Sequence, residues 1–162
     1  MIRIKVQAED FDIDAELAAL TAGNTQIGGI ASFTGLVRDI SGPGATGPDT
    51  TGPGAAGSSM TLEHYPGMTE KQLDAIAREA MARWPLDACL VIHRFGKLLP
   101  GDRIVLVATA SAHRETALAS CAFLIDWLKT KAPFWKLEDD GSEQRWVAAK
   151  DSDDAAAAKW TG

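Results

Sequence analysis

Three lysines and two large aromatics crowd into nine residues, LKTKAPFWK at 128–136, in a chain that is acidic overall. Such a cluster suits a basic helix end, where cations complement the helix dipole. It equally suits a site that holds an anion. Projected at 100° per residue, Leu118, Cys121, Ala122, Ile125 and Leu128 form a core stripe with Lys129 on its edge. A lysine there either snorkels out to water or sits in a partly dry pocket. Lys131 points elsewhere and reads as solvated. Phe123 and Trp127 lie on the opposite face, so the helix is expected to be covered on two sides, by the core and by a partner or extra strands.

The other end of this helix carries SAHRE. His113 and Arg114 follow a strand directly, where free backbone amides and the dipole attract anions; an ordinary exposed cap turn is the alternative. Arg38, at the end of a glycine-interrupted strand, is a third candidate cation. His113 and Lys129 are 16 residues apart, or roughly 24 Å of helix. Both ends reach one small ligand only if two copies of the chain share the site.

Bulk properties narrow the classes. The chain has 162 residues, a net charge of −6 and a pI near 5.0. That length supports one domain, 1–162, with a real core. The charge argues against broad binding to nucleic acid or an anionic membrane, so any bound anion must meet a local positive cluster. No apolar run reaches the ~18 residues of a membrane span. MIRIKVQAED reads as a first strand rather than a signal peptide, which leaves the cytoplasm as the default. Neither GxGxxG nor a P-loop is present. His64 and His93 lack metal-ligand spacing and read as strand or core histidines. Cys89 and Cys121 read as small buried hydrophobes rather than a disulfide or redox pair.

The elements that must position these residues are legible in part. Residues 41–59, SGPGATGPDTTGPGAAGSS, hold six of the 15 glycines and three of the seven prolines. They predict a flexible loop inserted between two strands. IGGIASFTGLVR before it and MTLEHY after it are strand-like. Thr69 with Gln72 fits a capping box, and Leu73, Ile76, Ala77, Ala80, Met81 and Trp84 mark one face of the helix that follows. ACLVIHRF and RIVLVATASA are strands joined by the LLPGD turn. A second long helix runs from near Ser111 to before Pro133, and DSDDAAAAKW suits a final helical turn. Interspersed helices and strands with hairpin-like turns favour an α+β fold.

Seven stretches then occur in order: FTGLVR (33–38), LEHYPGMTEKQL (62–73), RWPL (83–86), VIHRFGKLLPGD (91–102), SAHRETA (111–117), LKTKAPFWKLE (128–138) and RWV (145–147). Together they closely resemble the large, catalytic subunits of molybdopterin synthase, over nearly everything except the Gly-Pro segment and the two ends. The resemblance implies a hammerhead-type α+β fold with a mixed or antiparallel sheet and two long helices. It implies a central homodimer in which each large subunit binds one small ubiquitin-like sulfur carrier, giving a heterotetramer. The activity implied is sulfurtransferase: cyclic pyranopterin monophosphate becomes molybdopterin by gaining two dithiolene sulfurs from the thiocarboxylate at the carrier's C-terminal glycine. Carried over residue by residue, the substrate pocket uses Leu36, Val37, Arg38, His113, Arg114, Lys129, Lys136, Leu137 and Glu138, with Lys129 catalytic and Lys136 its support. No resident cofactor or metal is implied. Family members often carry a basic residue where Leu36 and Leu137 stand here, which thins the positive lining. A scaffold that docks the carrier without chemistry, or a cysteine-based sulfurtransferase using Cys89 or Cys121, are the rival classes.

Overall fold

The computed structural model describes residues 1–39, 58–141, 143–147 and 151–160. Its elements are β1 (Ile2–Gln7), α1 (Ile13–Thr21), β2 (Gly29–Leu36), β3 (Ser59–His64), α2 (Met68–Arg83), β4 (Ala88–Arg94), β5 (Gly96–Leu98), β6 (Arg103–Ser111), α3 (Arg114–Lys131), β7 (Phe134–Asp139), β8 (Gln144–Val147) and α4 (Asp151–Ala158). The fold is α+β. One sheet is mixed, in the order β1-β4-β6-β2, with β1 parallel to β4. The second, β5-β3-β7-β8, is antiparallel throughout.

Continuous apolar runs in β4 and the second half of β6 follow from burial on both faces. On one face Leu90, Ile92, Leu106 and Ala108 pack with Phe11 and Leu20 beside α1. On the other Cys89, Val91 and Val107 pack with Leu73, Ile76 and Ala77 of α2 and with Ala117, Cys121 and Leu124 of α3. Inside this layer the Thr109 hydroxyl donates to the Ala117 carbonyl at 2.7 Å. That buried bond fixes how α3 is rotated on the sheet.

The rotation corrects the expected stripe. Ala117, Cys121 and Leu124 face inward, whereas Leu118 is 62% exposed and Ala122 is also exposed. The cover over Phe123 comes from the chain itself. Trp84 and Trp160 pack on its ring at 5.2 and 5.6 Å, and Arg83 lies over its face. Trp160 is pinned by its indole N–H to Asp126 and by its carbonyl to Arg83.

A further expectation changes at the start of α2. α2 is capped by Glu70, which accepts from the Gly67 amide at 2.7 Å, while the Thr69 hydroxyl donates back to the Tyr65 carbonyl. LKTKAPFWK is split at Pro133: Lys129 and Lys131 end α3, whereas Lys136 belongs to β7. The segment assigned to a Gly-Pro loop lies outside the described residues up to 57; Ser59 already belongs to β3. Its flanks are adjacent, with the Ser58 hydroxyl donating to Asp39 at 3.1 Å, and the strands it joins lie in different sheets.

Where β2 starts, Gly28 sits so close to β6 that a Cβ would lie 2.2 Å from the Ala112 carbonyl oxygen. Gly28→Ala is therefore expected to lower stability by about 1–3 kcal/mol, read as a drop in Tm. Gly29→Ala, whose Cβ would meet only ordinary contact distances, should stay within about 0.5 kcal/mol of the parent chain.

Candidate functional site

Between the two sheets, under the last turn of α3, lies a cavity of about 510 Å³, a size that suits a small organic ligand. Its apolar part is built from Met60 and Leu62 of β3, Ile104 and Val105 of β6, and Ile125 and Leu128 of α3. Its polar part is Arg38, Lys129, Lys136 and Glu138, with His93 among the lining residues. Three cations against one carboxylate make this a positive pocket in an acidic chain.

Each side chain arrives there for a local reason. β2 ends in a register shift between Gly35 and Leu36, and a Cβ on Gly35 would press to 2.7 Å from Val105. The glycine thus keeps the cavity wall thin. Val37 crosses to the second sheet: its amide donates to Asp102, its carbonyl accepts from Gly101, and its side chain is buried with Met60, Leu62 and Leu98. Val37 therefore anchors the chain that presents Arg38, and its side chain is not in the cavity lining. Leu36 is exposed and does line it.

Pro133 stops α3, and Phe134 begins β7 on the register of β3. Alternation along β7 then directs Lys136 and Glu138 to the cavity and Leu137 to the other face of the sheet. Lys136 Nζ lies 3.0 Å from Glu138 Oε1, and Arg145 reaches Glu138 Oε2 at 3.3 Å. Burial alone would raise the Glu138 carboxyl, but these two cations outweigh it and hold it below the usual carboxylate range. Lys129 is exposed in the single chain, so the desolvation expected around it is not supplied by this chain alone. Lys131 stands over the Trp127 ring at 5.2 Å, away from the cavity.

His113 and Arg114 are not brought to this cavity. They stand at the start of α3 in a separate surface hollow with Gly28 and Glu115. Of the expected site residues, Leu36, Arg38, Lys129, Lys136 and Glu138 converge; His113 and Arg114 sit a helix length away, and Val37 and Leu137 point elsewhere.

Sequence reading treats His93 as an ordinary strand histidine, yet it lines the cavity. Cys89, Val91 and His93 alternate along β4 on the α3 side, and that period of two was the available signal. The ring is 9% exposed, stacks on Phe134 at 3.6 Å, and bonds through Nδ1 to the Arg94 carbonyl at 2.9 Å. Burial lowers it to about 4. The two cysteines are free thiols, pushed up by burial to about 12 for Cys89 and about 11 for Cys121. Neither is a thiolate nucleophile near neutral pH. No group of three or more metal-ligating side chains converges among the described residues, and no described helix is long and apolar enough to cross a membrane.

Comparison with known proteins places this geometry in context. A family model described as MoaE protein matches residues 6–131. The chain is 53% identical over 161 residues to a molybdopterin synthase catalytic subunit of Ralstonia nicotianae, covering 99% of this chain and 85% of that protein. It is 49% identical over 159 residues to the protein of the same name from Mesorhizobium japonicum, covering 97% and 92%. The solved molybdopterin biosynthesis MoaE protein from Burkholderia ambifaria superposes with a TM-score of 0.80 at 49% identity, covering 100% of this chain and 99% of that one.

Buried neutral His93 makes stability pH-dependent with a definite sign. Its folded value, about 4, is depressed below the ordinary 6.5, so its contribution is complete above pH 6.5 and is lost as the pH falls towards 4. A loss of about 3 kcal/mol across that window is expected, measured by denaturant unfolding at stepped pH. His93→Phe should flatten that limb.

Proposed function

We propose a function for this chain from one premise: it belongs to the MoaE family, whose model matches most of its length and whose curated relatives align along nearly all of it. It is the catalytic subunit of a molybdopterin synthase, an enzyme of molybdenum cofactor biosynthesis. Its substrate is cyclic pyranopterin monophosphate, and its sulfur donor is the C-terminal glycine thiocarboxylate of a small ubiquitin-like carrier, in the cytoplasm. The observation that carries this reading is the convergence of Arg38, Lys129 and Lys136 on a largely apolar cavity large enough for a pterin.

Phosphate and thiocarboxylate are both anions, and a pterin ring is flat and partly apolar. Arginine and lysine donors meet the anions through charge-assisted hydrogen bonds, and the aliphatic wall takes the ring. Lys129 is the proposed catalytic residue, set to move protons or to stabilise charge that builds as the thiocarboxylate attacks. Lys136, oriented by Glu138 at 3.0 Å, supports it. The sulfur arrives on the carrier, so the buried Cys89 and Cys121 have no step to perform.

The dimer in this proposal completes the site. β2 is an edge strand with β6 its only neighbour among the described strands. Its own Ile30 and Phe33 are 41% and 40% exposed, next to exposed Leu118 and Ala122 of α3. A second copy related by a two-fold axis near the middle of β2 covers this apolar strip. The axis would also set residues 35–38 of one copy beside Gly28, His113 and Arg114 of the other. The phosphate-binding helix start is then supplied in trans.

Reconstitution tests the reading. The purified chain, the thiocarboxylated carrier and cyclic pyranopterin monophosphate are expected to give dithiolene product, assayed by fluorescence after oxidation. Lys129→Ala should lower the rate by about 100-fold or more. Replacing both cysteines with alanine should leave it within about twofold. Tight carrier binding with no turnover by the parent chain would make it a scaffold and overturn the proposal.

A further inference from the structure

His93 has no task in the chemistry above, although it is the most deeply buried of the cavity's ionisable side chains. Its surroundings define what the ring can do. The Arg94 carbonyl can only accept, so the 2.9 Å contact places the proton on Nδ1 and leaves Nε2 with a free lone pair. No hydrogen bond to Nε2 is seen among the described residues, and His93 lines the cavity. The near-parallel Phe134 ring, 3.6 Å away and tilted by 16°, holds the imidazole plane. Phe134 lies two residues before Lys136 on the same face of β7, so the stack ties this ring to the lysine's position.

The cavity's polar inventory is one-sided. Arg38, Lys129 and Lys136 are donors only, and Glu138 already serves Lys136 and Arg145. That leaves Nε2 and the Thr34 hydroxyl as the lining side-chain acceptors not already engaged. A reduced pterin brings ring N–H groups that need acceptors, and a buried donor left unpaired is costly. We propose that His93 is a specificity-determining residue whose Nε2 accepts a hydrogen bond from a ring N–H of the bound pterin. The assignment rests on the substrate class proposed above. Burial and the facing His64 oppose a positive charge on the ring and outweigh the Arg94 carbonyl contact that favours one, in agreement with a neutral acceptor.

Two acceptor-free replacements, His93→Phe and His93→Leu, and one acceptor-bearing replacement, His93→Gln, test it in the full-length chain. Calorimetry with cyclic pyranopterin monophosphate should show Kd raised by about 10-fold or more in the acceptor-free chains, with part of the loss restored by Gln. In the reconstituted reaction KM should rise more than kcat falls. Binding of inorganic phosphate, which reads the cations alone, should be unchanged. A folded Phe or Leu variant that binds the pterin within about twofold of the parent would overturn the role of His93 and leave the function intact. If the parent chain failed to bind the pterin while still binding the carrier, the substrate reading would fall and this assignment with it.

Discussion

The length of one helix governs what this chain can do. α3 has 18 residues and so extends about 27 Å, with His113 and Arg114 at its start and Lys129 in its last turn. A single ligand the size of a nucleotide cannot bridge that span. The helix is also not free to slide or turn, because the Thr109–Ala117 hydrogen bond and the inward row of Ala117, Cys121 and Leu124 register it on β6. The two ends of α3 are therefore held at a fixed separation. β2, eight residues long, runs at nearly the same length beside it, so the edge of the sheet offers an axis about which the two halves would meet.

The cavity itself is a product of the junction between the sheets. Val37 and Pro133 are two of the points at which the chain passes from the first layer to the second, one delivering Arg38 and the other Phe134 and Lys136. The cations therefore come from three places in the fold, Lys129 and Lys136 from either side of Pro133 in one short stretch and Arg38 from far earlier in the chain, and the His93–Phe134 stack lies at the same junction. Their effect is local. A chain with a net charge of −6 repels anions at a distance, and within a Debye length of about 8–10 Å the three cations reverse that sign. Glu138 tempers the field and, by holding Lys136, limits how many conformers that side chain visits.

How much of this was readable in the sequence depends on which force fixed each element. β4, β6 and α2 were legible because burial alone shapes their apolar patterns. The ordered motifs from FTGLVR to LKTKAPFWKLE carried the family and, through it, the cavity residues. β7 was missed because Lys136 and Glu138 make it look solvated; it is a strand by virtue of pairing with β3, a long-range fact. α1 was passed over although Asp12 caps it and Ile13, Leu17 and Leu20 share a face, with Leu20 fully inside. The rotation of α3 was misjudged because its apolar residues surround the helix, so projection alone cannot choose between two arcs. The choice was made by Thr109, a polar residue in an apolar strand. His93 was underrated for a related reason: only the fold shows that its row on β4 runs out from the core into the cavity.

The central claim is that two copies of the chain share each site, and mixing two inactive variants tests it most directly. Chains carrying His113→Ala and chains carrying Lys129→Ala are each expected to be almost inactive alone. If the two residues act on one ligand from opposite subunits, dissociating and remixing them in equal amounts gives half mixed dimers with one intact site each. Activity should then return to about a quarter of the unmodified enzyme. A mixture that never exceeds the sum of its parents, with mixed dimers shown to be present, would contradict a shared site and leave the two ends of α3 to separate tasks.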